Sequence, residues 1–180
     1  MSSLPTATLS PSGLACVFAA SLLALSLSAQ AQYANSDAPD WKEDTVPPPP
    51  SYSVSGLVEI EMPRTAAVKI GLDPKTITLN QATGIVRYVV VARGPSAVNA
   101  SYEGIRCATG EFRIYARQVQ GGEWTPNSDN AWKPMQGQSS VMVQYPLQLA
   151  RSGMCMGTTL QQTPKDVVRA LQTNNQSLYY

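Results

Sequence analysis

The sequence has no histidine in 180 residues, and this absence removes several kinds of catalytic site. A Ser-His-Asp triad and a Cys-His pair both need an imidazole as the general base. Zinc and iron sites that contain histidine are excluded for the same reason. What chemistry remains depends on carboxylates, hydroxyls, thiols and arginines.

Cysteine is also scarce, with three residues in the chain. Cys16 lies inside an apolar run, and Cys107 and Cys155 are 48 positions apart, so they form neither a CxxC redox motif nor a thiolate cage. Nucleotide-binding GxGxxG and GxxxxGK[ST] motifs, a Ser-x-x-Lys pair and an EF-hand loop are missing too. We therefore expect no catalytic residue of these classes, no cofactor and no metal.

A charge-free apolar run over residues 14–28 indicates export. It is too short to span a bilayer as a helix and is typical of a signal-peptide core. The small residues of Ala29-Gln30-Ala31 follow, so we expect residues 1–31 to be a signal peptide and Gln32 to begin the mature chain. A lipoprotein cysteine follows such a run, whereas Cys16 lies near its start, which argues against a lipid anchor. The expected location is the periplasm.

In an oxidising compartment the two remaining cysteines favour a disulfide between Cys107 and Cys155. A reactive thiol at Cys107 is the alternative. Such a thiol needs partial exposure and an electropositive setting.

Residues 32–55 are acidic and rich in proline. Six carboxylates and one lysine lie between Asp37 and Glu61, and the rest of the chain is basic, because the total charge is +1. Pro47–Pro50 predict polyproline II, so we interpret this lead-in as a stiff spacer or an extended arm on the domain, anchored by Trp41. One domain should follow over residues 56–175, with a tail at 176–180.

The domain reads as strands followed by a helix. "LVEIEM", "KTITLN" and "GIVRYVVVA" are strand-like, and residues 85–92 are apolar at both parities apart from Arg87, as in a central strand. Residues 141–149 fit a helix or a strand, and Thr163-Pro164 begins a helix. We predict a mainly antiparallel β fold, a sandwich or partly open barrel, with a C-terminal helix; α+β is the alternative label.

Residues 99–118 predict a hairpin around Ala108-Thr109-Gly110. Alternation places Ile105, Cys107, Phe112, Ile114 and Ala116 toward the core. The opposite face then carries Arg106, Arg113 and Arg117, which we expect to be exposed and to meet the acidic lead-in or an anionic partner. Basic residues are scattered along the chain, which argues against nucleic acid.

Glu103 has the inward parity of the first hairpin strand. An ion pair with Arg87, Arg106 or Arg113 is the structural interpretation. The catalytic alternative is a general acid with a raised pKa.

The segments "DWKEDTVPPPP", "GIVRYVVVA" and "ASYEGIRCATGEFRIYA", together with Cys155, resemble the cryptic neisserial protein-like family of bacterial envelope proteins. The resemblance covers about Trp41 to Leu171. It implies a periplasmic domain without an assigned activity and supplies no catalytic residues.

The leading functional hypothesis is an exported, non-catalytic protein that binds or organises an envelope component. Its partner would be an envelope protein or an anionic envelope component. The alternatives are a carboxylate-based hydrolase of cell-wall glycan with Glu103 as the acid, and a periplasmic carrier of a small molecule. The oligomeric state is not specified by the sequence.

Overall fold

The computed structural model describes residues 40–61, 67–138 and 144–177; the predicted signal peptide lies outside these ranges. The described strands are β1 (Val58–Ile60), β2 (Lys69–Leu72), β3 (Thr78–Asn80), β4 (Ile85–Arg93), β5 (Val98–Arg106), β6 (Glu111–Val119), β7 (Trp124–Pro126), β8 (Lys133–Pro134), β9 (Cys155–Met156) and β10 (Thr159–Leu160). The helical elements are a 3₁₀ turn (Pro74–Thr76), α1 (Tyr145–Leu149), a π turn (Ala150–Met154) and α2 (Pro164–Ser177).

One antiparallel sheet forms the centre of the domain. Its strand order is β1-β2-β4-β5-β6-β7, with β3 added to β4 and β8 added to β6, and the sheet stays open. A separate hairpin joins β9 to β10. The predicted mainly antiparallel β fold with a C-terminal helix is confirmed.

Strand β4 is the middle of the sheet. It pairs with β2 and β3 on one side and with β5 on the other, and residues 85–91 are buried on both faces. The prediction of a doubly covered central strand is confirmed. Arg87 is the charged residue within this buried stretch, and its position governs the site described below.

Strands β5 and β6 form the predicted hairpin, with Gly110 at a φ of 66° in the turn. The register shifts between Tyr102 and Glu103, so a β-bulge interrupts the alternation. Residues of β6 beyond the bulge therefore change faces. Ala116, expected beside Phe112, packs instead with Tyr102 in a second hydrophobic cluster.

A helical layer covers one face of the sheet. Residues 145–149 are the helix α1, with Pro146 in its first turn, which resolves that part of the ambiguous segment; residues 141–143 lie outside the described ranges. The Thr163 Oγ1 accepts a hydrogen bond from the Asp166 backbone N–H at 3.3 Å, as expected for an N-cap. The buried cluster on this face includes Ile70, Leu72, Val86, Ile105, Met154, Val167 and Leu171. Among the described residues, no helix is both long and apolar enough to cross a membrane.

The opposite face of the sheet is covered by the arm, which we define as residues 40–55. The arm is extended, and its Val46 and Tyr52 pack against the second hydrophobic cluster. That cluster comprises Val89, Val91, Ala100, Tyr102, Tyr115 and Ala116. The sheet is therefore the middle of three layers. The boundary at residue 56 stays a prediction, but side chains on both sides of it share one core.

The predicted pairing of Cys107 with Cys155 is confirmed by an S–S distance of 2.00 Å. Cys107 is buried just beyond β5, and Cys155 begins β9 directly after the π turn. The bond thus ties the helical layer to the central hairpin.

Replacing Cys107 by Ala should destabilise the domain by about 4 kcal/mol, because the bond closes a loop of about 48 residues in the chain-entropy model. Cys155→Ala should cost nearly the same, and the double variant no more than either single one, since each removes the same bond. Thermal unfolding of the mature protein measures this. Two free thiols per unreduced chain, or unchanged melting temperatures, would contradict the pairing.

Candidate functional site

The carboxylate of Glu43, on the arm, is held by four donors from the sheet and the loop beside it. Arg87 Nη2 lies 3.0 Å from Oε1, and Arg113 Nη1 lies 2.6 Å from Oε2. The Tyr115 hydroxyl donates to Oε1 at 2.5 Å, and Trp132 Nε1 donates to Oε2 at 3.2 Å. We call these four residues the cradle. They come from β4, from β6 and from the loop before β8, so the sheet itself positions the arm.

Arg87 is the deepest member of the cradle, with a side chain 4% exposed. It also contacts Asp44, whose Oδ1 lies 2.5 Å from Nη2. This hydrogen bond holds the pKa of Asp44 below its usual value. Burial disfavours the charge of Arg87, but the hydrogen bonds that its guanidinium donates to Asp44 and Glu43, together with the neighbouring Tyr115, outweigh burial and raise its pKa. The guanidinium is therefore buried as a compensated cation.

Tyr115 lies across the sheet above Gly104. A Cβ at Gly104 would sit 2.5 Å from the Tyr115 hydroxyl, so only glycine leaves room for the ring in this position. Burial raises the pKa of Tyr115, and the adjacent Glu43 carboxylate raises it further. The phenol accordingly keeps its proton and remains a donor to Glu43.

Trp41 fixes the start of the arm, as predicted. Its Nε1 donates to the Thr83 carbonyl at 3.2 Å, and its ring meets Trp132 edge-on at a centroid distance of 6.2 Å. The Arg106 guanidinium lies over the Trp41 ring, with Cζ 3.6 Å from the centroid, which is a close cation–π contact. Indole and carboxylate thus engage neighbouring parts of one surface.

The three arginines predicted to share an exposed face do not share one. Arg106 is 8% exposed and pairs with Glu111 at 3.5 Å, while Arg113 lies against Glu43. Arg117 is exposed but follows the bulge, so it leaves the face of the arm and donates to Asn127 at 3.1 Å. The expected exposure is wrong for Arg106, because the arm covers it. Arg113 meets the acidic lead-in through Glu43, as expected, whereas Arg106 meets it through the ring of Trp41 and forms its ion pair with Glu111. A role in binding an anionic partner stays a prediction.

Glu103 is fully buried beneath the helical layer. Its Oε1 accepts hydrogen bonds from the hydroxyls of Ser101 and Tyr145. Within the described ranges, Oε2 and the nearby Tyr88 hydroxyl make no hydrogen bond of standard geometry. Burial raises the pKa of Glu103 and so favours its neutral form. The hydrogen bonds from Ser101 and Tyr145, and the charge of Arg117, act on the pKa in the opposite direction without overcoming burial.

The expected ion pair of Glu103 is therefore wrong. Its carboxyl faces the helical layer with Tyr145, whereas Arg87 and Arg113 face the arm and are engaged there with Glu43. Hydroxyl groups take the place that we assigned to an arginine. With no exposed surface, Glu103 is also unsuited to act as the acid on a glycan.

Glu43 and Asp44 were not predicted individually as partners of the sheet. The signal that could have found them is Arg87, a lone charge in an otherwise apolar central strand. A buried guanidinium needs a carboxylate from elsewhere in the chain. The acidic pair Glu43-Asp44, separated from the predicted anchor Trp41 by Lys42 alone, is the nearest such source.

We predict that Glu43→Ala lowers the free energy of unfolding by about 3 kcal/mol, because it leaves two arginines without their shared carboxylate. Lys42→Ala, at the exposed neighbouring position, is the matched control and should change stability by less than about 0.5 kcal/mol. Urea denaturation of both variants measures the difference. Equal stabilities for the two variants would show that the cradle does not stabilise the fold.

The buried carboxyl of Glu103 predicts a pH dependence of opposite sign to that of an ordinary ion pair. Its folded pKa lies above its usual value of about 4.5, so the folded state holds the proton longer and loses stability as the pH rises through that range. Glu103→Gln removes this loss. The stability of the variant relative to the native chain should therefore rise with pH above about 4.5.

Denaturation series between acid and neutral pH measure this difference, and Glu123→Gln, in an exposed turn, controls for the loss of one negative charge. A relative stability of Glu103→Gln that falls as the pH rises would mean that the buried carboxyl is ionised in the folded state.

The chain was compared with protein families, curated proteins and solved structures, and the family comparison gives a match. No curated protein and no solved structure matches the chain. The sequence pattern of the CNP1-like family matches residues 36–172, a range that includes the arm, the cradle, both cysteines of the disulfide and most of α2. The resemblance seen in the sequence is thereby confirmed, and the chain belongs to the CNP1-like family.

Proposed function

We propose that this protein is an exported, non-catalytic periplasmic protein that binds another protein of the cell envelope. The apolar run before Ala31 and the disulfide support export, since such bonds persist in oxidising compartments. The carboxyl groups of Glu43 and Glu103, both described above, are engaged by contacts within the chain. We therefore look for the function in a binding surface of the domain.

A groove beside the arm is the observation that carries the proposal. It has a volume of about 210 Å³ and lies between the prolines of the arm and strand β7. The edge-on contact of Tyr52 with Trp124, at a centroid distance of 5.9 Å, fixes the arm to β7. Its lining is mostly apolar and comprises Val46, Pro47, Pro49, Tyr102, Tyr115, Ala116, Trp124 and Pro126.

The dimensions of the groove favour one kind of occupant. Sites for small molecules usually measure about 300–1,000 Å³, so this volume suits a single side chain better than a carried molecule. Strand β7 is three residues long and contains Pro126, which disfavours the addition of a further strand at this edge. A partner that inserts one apolar or aromatic side chain fits best, in the manner of a binding hot spot.

A photo-crosslinking residue at the exposed Pro47 tests the proposal in cells that express the full chain. It should capture an envelope protein, and Pro126→Glu, which adds a charge at the groove, should abolish the capture. The same residue at Lys165, exposed on α2, is the control and should not capture that protein. Equal capture from both positions, or capture that survives Pro126→Glu, would refute the groove as the binding site.

Export is tested separately by the mass of the mature chain from the periplasmic fraction. It should begin near Gln32 and carry no lipid. A chain that retains residues 1–31 in the cytoplasm would refute the proposed location without bearing on the groove.

A further inference from the structure

The arm is bound to the sheet much as a peptide ligand is bound to a receptor. The side chains of the arm, and not its backbone, make the hydrogen bonds to the cradle and to Thr83. The indole of Trp41 adds a stacked contact with Arg106. Ladder hydrogen bonds, which would join the arm to the sheet as a strand, are not the means of attachment in the described residues. Contacts of this type depend on the chemistry of the segment and not on its covalent connection.

The recognition chemistry is specific to an indole followed by two carboxylates. Trp41 stacks on Arg106, the Glu43 carboxylate takes two arginines, and Asp44 takes the remaining side of Arg87. One further donor, Arg87 Nε, is buried and has no hydrogen-bond partner among the residues that the structure describes. The cradle is thus a pocket for a segment of the form Trp-x-Glu-Asp, with donors arranged around two acidic groups.

Each copy of the chain carries one such segment and one such cradle. The segment is followed by Pro47–Pro50, which hold the chain extended at about 3.1 Å per residue in polyproline II and reduce the entropy cost of docking elsewhere. We propose that the arm of one copy can occupy the cradle of a second copy. Reciprocal exchange would give a closed twofold dimer in which the contacts of Trp41, Glu43 and Asp44 form between copies.

The exchanged form competes with the arm of the same chain. A short tether holds its own arm at an effective concentration on the order of 1 mM, so the monomer dominates in dilute solution. The share of exchanged arms should rise about tenfold for each tenfold rise in protein concentration, until the protein concentration approaches about 1 mM. Crowding of copies on a common envelope partner would raise the local concentration in the same way.

The test uses the full mature chain with a photo-crosslinking residue at Lys42, which is exposed between Trp41 and Glu43. Chains with ¹⁴N and ¹⁵N are mixed, held at increasing concentration, crosslinked and digested. Crosslinks between the arm and β4 or β6 peptides should include pairs of one light and one heavy peptide, in a share that rises with concentration. The same group at Lys165 is the control for random collision.

A second mixture reduces the competition from each chain's own arm, so that exchange between copies is easier to detect. Light chains that carry Trp41→Ala with Glu43→Ala lose the indole and the shared carboxylate, so their own arms hold the cradle weakly. Heavy native arms should then enter it and increase the heavy–light crosslinks about tenfold or more. Same-isotope crosslinks alone in the native mixture, at concentrations up to about 1 mM, would refute exchange. The native mixture gives this result whether or not the double variant folds, and the groove proposal is unaffected by it.

Discussion

The buried guanidinium of Arg87 is the constraint on which the arm face of this domain depends. It lies on the central strand, where burial without a carboxylate would be costly. The sequence supplies that carboxylate from the arm, more than 40 positions earlier, through Glu43 and Asp44. An extended proline-rich segment with little structure of its own is thereby fixed as the third layer of the fold.

Other features of this face follow from the same requirement. The Glu43 carboxylate has room for more than one arginine, so Arg113, Tyr115 and Trp132 converge on it. Gly104 is needed because the Tyr115 ring must cross the strand to reach the carboxylate. The aromatic groove beside β7 exists because the arm, once anchored, runs alongside the sheet and does not pair with it.

The two faces of the sheet respond to acid in opposite directions. The pKa of Asp44 is lowered by Arg87, so its stabilising contribution is present above the usual aspartate range and is lost as the pH falls. The pKa of Glu103 is raised by burial, so its unfavourable contribution disappears on acidification. Acidification should therefore weaken the attachment of the arm while leaving the helical layer, which the disulfide also holds, in place.

Much of the fold could be predicted from the sequence because its signals are local. The apolar parity of 85–92, the turn at Gly110 and the cap at Thr163 each specify their own element. The disulfide followed from counting the cysteines outside the predicted signal peptide. The faces of Ala116 and Arg117 could not be predicted, because the sequence of β6 alone gives no sign of the bulge that exchanges the faces of its later residues.

The candidate site was less predictable than the fold because it is assembled from distant segments. Trp41 was recognised as an anchor, but the partner of each charge depended on which face the arm covers. Arg106 was expected in solvent because strand parity alone does not reveal a third layer. Glu103 was assigned an arginine because parity did not show that hydroxyl groups of Ser101 and Tyr145 would reach it first.

Charge interactions with the sheet hold the arm as part of the fold. A double-mutant cycle on Glu43 and Arg113, made with Glu43→Ala, Arg113→Ala and the pair, tests it most directly by equilibrium unfolding. We predict a coupling free energy of about 1.5 kcal/mol or more, as for close, desolvated charge pairs. Additivity within about 0.3 kcal/mol would mean that the two residues do not stabilise the fold through each other, and would contradict the account.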